Sequence, residues 1–317
     1  MIQLQNITKR FDGRSVVRDL TLSCPAGKTT VLVGPSGCGK TTTLEMMNGL
    51  LQPDEGNVII GDVKLTGENV LNMRRRMGYV IQSAGLFPHY TIFDNIAVVP
   101  KLLKWDNDVI LRRVEEMMQL VDLPLERLDD YPNTLSGGQQ QRVGFARALA
   151  ADPDYLLLDE PFSALDPITK TTLRKQFADI QKRLEKTVVM VTHDMREALE
   201  LGDRIAVMSE GRILHNATPR ELLGEPQDEF VEEFIGGDKQ MRLLQITTIA
   251  DLLEMRDEKT APDGVENGGN ISIEESLYSA MNLLMAKSPL PLVVHQNETE
   301  ISLLKLDDIL HFMRKED

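Results

Sequence analysis

Eight residues, GPSGCGKT at positions 34–41, constrain this chain more than any other stretch. They follow the apolar, β-branched run TTVLV and open the helix-forming stretch KTTTLEMMNGLL. Strand, glycine-rich turn and helix in that order is the setting of a phosphate-binding loop. The glycines let consecutive backbone N–H groups face phosphate oxygens, and the helix start adds the positive end of its dipole. Gly34, Pro35, Ser36, Gly37, Cys38, Gly39, Lys40, Thr41 and Thr42 are therefore read as the cradle of a nucleotide. Lys40 would bridge the β- and γ-phosphates, and the Thr41 hydroxyl would ligate Mg²⁺. ATP and Mg²⁺ are the expected cofactors. The bland alternative, a glycine turn with a chance lysine, is disfavoured by the strand before it and the helix after it.

Two further apolar runs, YLLLDEP at 155–161 and TVVMVTHD at 187–194, read as buried strands separated by helical stretches. Such alternation indicates an α/β fold built on a mostly parallel sheet covered on both faces. RIAVMSEGRILHNA adds an antiparallel hairpin turning at Glu210 and Gly211. Residues of about 85–150 are helical in pattern, which predicts a helical subdomain. Asp159 and Glu160 end the second run, at the carboxyl edge of the sheet where α/β folds bind ligands. Asp159 is expected in the Mg²⁺ shell, alongside Thr41. Glu160 is expected to polarise the attacking water as general base. Acids at strand ends also cap helices, and the phosphate loop is what favours chemistry here.

The chain has 35 basic and 49 acidic residues among 317, a net charge of −14, which argues against a nucleic-acid partner. Its two cysteines, Cys24 and Cys38, lack metal-ligand spacing and are expected to be reduced thiols. The opening MIQLQNITKRF alternates like a strand and shows no leader pattern. No stretch reaches the roughly 18 consecutive apolar residues a spanning helix needs. Any transmembrane path is expected on another polypeptide, with this chain peripheral at the cytoplasmic face of the cell membrane.

LSGGQQQR at 135–142 is the signature of ABC ATPases, which the chain resembles over residues 1–235. As residues alone, Ser136 caps a helix and the glycines loosen its start. The resemblance implies that this helix end, Ser136, Gly137, Gly138 and Gln139, meets the ATP held by a second subunit. It also implies that Gln82 reaches Mg²⁺ and the attacking water, that His193 is the switch residue at the γ-phosphate, and that Asp166 of SALD crosses the dimer interface. Phe11 stands where an aromatic residue stacks on adenine. A homodimer that closes on two ATP molecules and opens after hydrolysis is the implied motor. Leu86, Phe87 and Tyr90 would form the groove for a permease helix; the alternative is that they pack inside the subdomain.

Residues 74–105 resemble importer ATPases for quaternary-ammonium osmoprotectants such as glycine betaine, carnitine and choline, and FVEEFIGGD resembles the junction those proteins carry. A quaternary-ammonium cation needs an aromatic cage. With aromatics at 5% and a single Trp, that cage is expected on a separate extracytoplasmic solute-binding protein, linked to this chain only through the permease. Residues 271–317 resemble one cystathionine-β-synthase (CBS) motif: strand, helix, strand, strand, helix. Asp308 matches that motif's ribose-holding acid, while Ser302 and Lys305 depart from its usual Gly and Ser or Thr. The expected plan is an ABC ATPase domain over 1–236, a linker over 237–270 and a small α/β CBS-like regulatory domain over 271–317. The rival readings are an importer ATPase for an amino acid or polyamine, a non-transport ABC ATPase, and a P-loop kinase. The second lacks its coiled-coil insertion or duplicated domain here, and the third would leave LSGGQ without purpose.

Overall fold

A computed structural model describes residues 1–163, 165–255, 268–286, 290–296 and 299–315. The chain forms two compact units, Met1–Thr218 and Pro219–Asp317.

The first unit opens with alternating strands β1 (Ile2–Phe11) and β2 (Arg14–Cys24), which pair antiparallel. Ile2 and Leu4 from one, and Leu20 and Leu22 from the other, are buried while the residue between each pair is not, the period of two expected of a half-covered sheet; Ile7, past a register shift, is buried beside Thr8. Next come β3 (Thr29–Val33), α1 (Lys40–Met47), β4 (Glu55–Ile60) and β5 (Val63–Lys64). The first sheet runs β2-β1-β4-β5. α2 (Val70–Arg74), β6 (Met77–Val80), α3 (Ile92–Leu102), α4 (Asn107–Leu120) and α5 (Gly137–Leu149) follow. α3, α4 and α5 pack on one another, as the helical pattern of 85–150 predicts.

β7 (Tyr155–Asp159), α6 (Pro167–Leu184), β8 (Thr187–Thr192), α7 (Met195–Leu201), β9 (Arg204–Ser209) and β10 (Arg212–Ala217) complete the unit. The second sheet has the order β10-β9-β3-β8-β7-β6. All pairs but β9/β10 are parallel. β3, β7 and β8 are buried at every residue, which is why they read as unbroken apolar runs. Glu210 and Gly211, both at positive φ (46° and 81°), turn the β9–β10 hairpin. The core between the sheets joins Leu32, Leu44, Met46 and Met47 to Ile2, Leu22, Ile60, Val189 and Met208. Cys24 lies in it as a free thiol, pushed up to about 12 by burial.

The second unit contains α8 (Pro219–Gly224), α9 (Glu229–Ile235), α10 (Lys239–Ile246) and α11 (Ile249–Glu254). α10 packs against α8 and against α12 (Leu277–Ala286). α10 and α11 thus occupy part of the stretch read as linker; residues 256–267 of that stretch lie outside the described residues. β11 (Gly269–Ser272), β12 (Leu292–Gln296) and β13 (Thr299–Leu304) form a small sheet, β11/β12 parallel and β12/β13 antiparallel, followed by α13 (Leu306–Lys315). Leu277, Ala280, Leu284, Val294, Leu304, Ile309 and Phe312 are among the buried side chains here. Among the described residues no helix is long and apolar enough to cross a membrane.

Candidate active site

The loop between β3 and α1 is shaped by backbone that tolerates no side chain. A Cβ on Gly34 would stand 2.0 Å from the Met208 carbonyl oxygen, and one on Gly39 2.8 Å from that of Val16. Gly37 and Gly39 hold φ of 79° and 107°, a region that L side chains rarely adopt. Lys40 is only 5% exposed, and its Nζ donates to the carbonyls of Gly34 (2.8 Å) and Pro35 (2.9 Å), 4.0 Å from the Cys38 sulfur. The lysine therefore fixes the loop that surrounds it and centres a positive charge there.

β3 and β7 are separated in the sheet by β8 alone, so α1 and the end of β7 meet at the carboxyl edge. There the Thr41 hydroxyl donates to Asp159 Oδ1 at 3.0 Å. Asp159 is 8% exposed, and burial raises its carboxyl above the usual range. The Thr41 hydrogen bond opposes that shift, the neighbouring Glu160 charge adds to it and Lys40 opposes it. A buried carboxylate beside a hydroxyl, both hard oxygen donors, fits Mg²⁺, whose charge would offset the cost of ionising Asp159.

Glu160 leaves β7 at a φ of 43°, unusual for a side chain with a Cβ. The turn is held on both sides. Its N–H donates to the Val191 carbonyl (3.0 Å), and its own carbonyl accepts from the Ser163 N–H (3.2 Å) and hydroxyl (2.9 Å). Two side chains converge on one oxygen of this glutamate. Gln82 Nε2, just past β6, donates to Glu160 Oε2 at 3.1 Å, and His193 Nδ1, just past β8, lies 3.2 Å from the same atom. Three strand ends, β6, β7 and β8, thus deliver Gln82, Glu160 and His193 to one point.

The turn that carries His193 rests on a cluster that sequence reasoning missed. Lys170 Nζ pairs with Asp194 at 2.9 Å and with Glu197 at 2.7 Å. Glu197 is 2% exposed and also accepts from the Thr192 hydroxyl. Burial works against the Lys170 charge, but the two carboxylates outweigh it and raise its pKa. A signal existed: Thr192, Asp194 and Glu197 are spaced as an acceptor-rich helix start, and Lys170 falls one turn after the helix cap Asp166.

The remaining candidates stand apart from this cluster. Ser136 and Gln139 form a reciprocal cap at the start of α5: the Gln139 N–H donates to Ser136 Oγ (3.3 Å) and the Ser136 N–H to Gln139 Oε1 (3.0 Å). A Cβ on Gly138 would lie 2.6 Å from Thr169 Cγ2, whereas one on Gly137 meets nothing within 4 Å. No described hydrogen bond ties Ser136–Gln139 to the Lys40 loop of the same chain. Asp166 caps α6, accepting from the Ile168 (3.2 Å) and Thr169 (3.1 Å) N–H groups, and the Thr169 side chain together with these bonds holds its carboxyl below its ordinary range. Ala164 of the SALD stretch lies outside the described residues. Phe11 is 42% exposed, with Lys9 Nζ 5.5 Å from its ring centre. In the second unit, Asp308 accepts from the Lys305 N–H at 2.7 Å, at the start of α13.

Residues 17–163 match the family described as ABC transporter. Over 290 residues the chain is 45% identical to the carnitine transport ATP-binding protein OpuCA of Listeria monocytogenes, covering 90% of this chain and 70% of the relative. It is 41% identical over 301 residues to the glycine betaine uptake system ATP-binding protein YehX of Escherichia coli, covering 94% and 96%. An ATP-binding cassette solved as a dimer in a post-hydrolysis state with ADP and Pi superposes with a TM-score of 0.63 at 32% identity, covering 69% of this chain and 99% of that one. A phosphate cradle on β3, a carboxylate pair on β7 and a capped glycine helix start on α5, in a chain this similar to those proteins, make it a member of the ABC transporter family of ATP-binding proteins.

Proposed function

We propose that this chain is the ATP-hydrolysing subunit of an importer for quaternary-ammonium osmoprotectants, working as a homodimer beneath a separate permease. The observation that carries the substrate class is the extent of its likeness to the carnitine and glycine betaine proteins, which runs through both units over 90% and 94% of the chain.

In this reading the 34–42 loop and Lys40 hold the triphosphate of ATP, and Phe11 stacks on its base. Thr41, Asp159 and Gln82 would hold Mg²⁺, which supplies neutralising charge to the phosphate oxygens when bound. Glu160 accepts a proton from the attacking water. Its described partners both sit on Oε2, so Oε1 is the oxygen left for that water. Gln82 and His193 orient the carboxylate, and a base so fixed contributes about 10²–10⁴-fold to such a step. The backbone N–H groups at the start of α5 suit the γ-phosphate of ATP on a second copy. Asp166 fixes the start of α6 at the subunit boundary, and hydrolysis removes the contacts that join the copies.

The permease would dock on a groove of about 350 Å³ beside the Gln82 loop, lined by Tyr79, Ile81, Phe87, Val98, Val99 and Arg147. Phe87 (41% exposed) lines this groove and Tyr90 (39%) is exposed beside it, its ring 5.3 Å from that of Phe87, supporting contact with a membrane partner rather than packing within the subdomain. The docking puts the chain at the cytoplasmic face of the membrane. The CBS-like assignment of residues 271–317 is supported by the strand, helix, strand, strand, helix order of the second unit.

Uptake of labelled choline, carnitine and glycine betaine tests the proposal. Cells deleted for this chain should lose uptake of at least one solute, the wild-type chain should restore it, and Glu160→Gln should not. Full uptake of all three in the deletion strain would overturn the substrate assignment.

A further inference from the structure

Gln82 is the only one of the three converging groups that comes from the edge strand, and what holds it there is a residue the proposed chemistry does not use. β6 ends at Val80, and the chain turns sharply through Ala84 and Gly85, at positive φ of 58° and 55°. The turn is closed locally by the Ala84 N–H on the Ile81 carbonyl (3.1 Å) and the Gly85 N–H on the Ser83 carbonyl (2.7 Å), and it takes further support from outside.

The support is Arg147, on the last turn of α5. Its Nη2 donates to the Ala84 carbonyl at 2.7 Å and its Nη1 to the Gly85 carbonyl at 2.6 Å. Its guanidinium carbon lies 5.9 Å from the centre of the Phe87 ring. The planar fork reads two successive carbonyls that a left-handed turn aims in the same direction, a match a lysine ammonium cannot reproduce. One turn earlier on the same helix, Gly144 faces the turn, where a Cβ would stand 3.4 Å from the Ala84 oxygen, an ordinary contact distance. The α5 backbone itself is pressed on β6: a Cβ on Gly78 would lie 2.4 Å from the Ala148 carbonyl. Farther along, the fully buried Asn95 accepts from the Phe87 N–H (2.8 Å) and donates to the carbonyls of Phe87, Tyr90 and Thr91. The segment from Gln82 to the docking groove is thereby tied at both ends, and the first tie comes from the helix that begins with Ser136.

We infer that Arg147 is a positioning residue for hydrolysis: through the Ala84 and Gly85 carbonyls it holds Gln82 at Glu160 and in fixed register with α5. This rests on the proposed role of Gln82. α5 then serves two nucleotides, meeting one copy's ATP with its first turn and setting the water-orienting glutamine of its own copy's site with its last.

Steady-state ATPase kinetics of Arg147→Met, Gln82→Ala and the double variant, with full-length chain and permease, test this. A misplacement of about 1 Å in a positioned group costs on the order of 10²-fold, so Arg147→Met should lower kcat by about 10- to 100-fold. KM for ATP should stay within about threefold, because the Lys40 loop is untouched. The double variant should be no slower than Gln82→Ala alone, since both losses pass through one side chain. Multiplying losses, or unchanged kcat in Arg147→Met, would overturn the role of Arg147. Full turnover in Gln82→Ala would instead sink the reading of Gln82 on which it rests. If Arg147→Met does not accumulate as folded protein, Arg147→Lys, which keeps the charge and loses the fork, is carried through the same cycle with the same outcomes.

Discussion

At the scale of single residues, the site carries a cost that bound Mg²⁺ would relieve. Asp159 is buried, and its raised pKa means that the folded chain binds its proton more tightly than the unfolded chain does. For a carboxyl shifted in that direction, the penalty is absent below the unfolded-state value and grows as pH rises through the folded one. Asp159→Asn removes it and keeps an oxygen that can accept from Thr41. Nucleotide-free Asp159→Asn should therefore melt higher than wild type while losing hydrolysis. Differential scanning fluorimetry with and without Mg-ATP checks this, and an unchanged or lower Tm without nucleotide would refute the stated cost. The phosphate loop was legible because its chemistry is local: Gly34, Gly37, Gly39, Lys40 and Thr41 act within one turn of chain. The meeting of Gln82, Glu160 and His193 on one oxygen was not, since it depends on the order of three strand ends. Arg147 and Asn95 were missed for a different reason. A buried polar side chain on an amphipathic helix looks like noise in a hydrophobic pattern, and only its carbonyl partners show its purpose.

At the scale of elements, burial accounts for what the sequence did and did not reveal. β3, β7 and β8 are covered on both faces and so stand out as apolar runs, and the β9–β10 turn announces itself through Glu210 and Gly211. β6 is an edge strand of four residues, MGYV, too short to stand out in a pattern. Its placement rests on close backbone approach to α5 at Gly78, which no periodicity encodes. That contact makes a prediction. Gly78→Ala forces a methyl to within 2.4 Å of the Ala148 oxygen, and overpacking of this kind costs about 1–3 kcal/mol. Urea unfolding of the first unit should shift to a lower midpoint, while Gly67→Ala, where a Cβ meets only the Gln52 amide nitrogen at 3.8 Å, should leave stability within about 0.5 kcal/mol. Equal midpoints for Gly78→Ala and wild type would show that α5 and β6 can part without cost. The helices at 239–254 fall in the stretch read as linker because they are short and bounded by glycine-rich segments, and the partners of α10, α8 and α12, lie on either side in sequence.

At the scale of the whole molecule, half of the proposed site faces outward. The Lys40 loop, Asp159, Glu160, Gln82 and His193 gather at one sheet edge, while the Ser136 and Gln139 side chains cap their own helix and are not hydrogen-bonded to that loop. Gly137 has open space around it, which suits an incoming phosphate. A second copy arranged head to tail would bring the two halves together around each ATP, so a monomer should hold nucleotide and hydrolyse it poorly. The direct test places single cysteines at Ser36 and Gly137 in a Glu160→Gln, Cys38→Ser chain and adds a short thiol cross-linker. With Mg-ATP the account predicts a covalent species of twice the 35.6 kDa chain mass, absent without nucleotide. A chain shown to bind ATP that gives no cross-link between copies, or links the two positions within one copy, would contradict it.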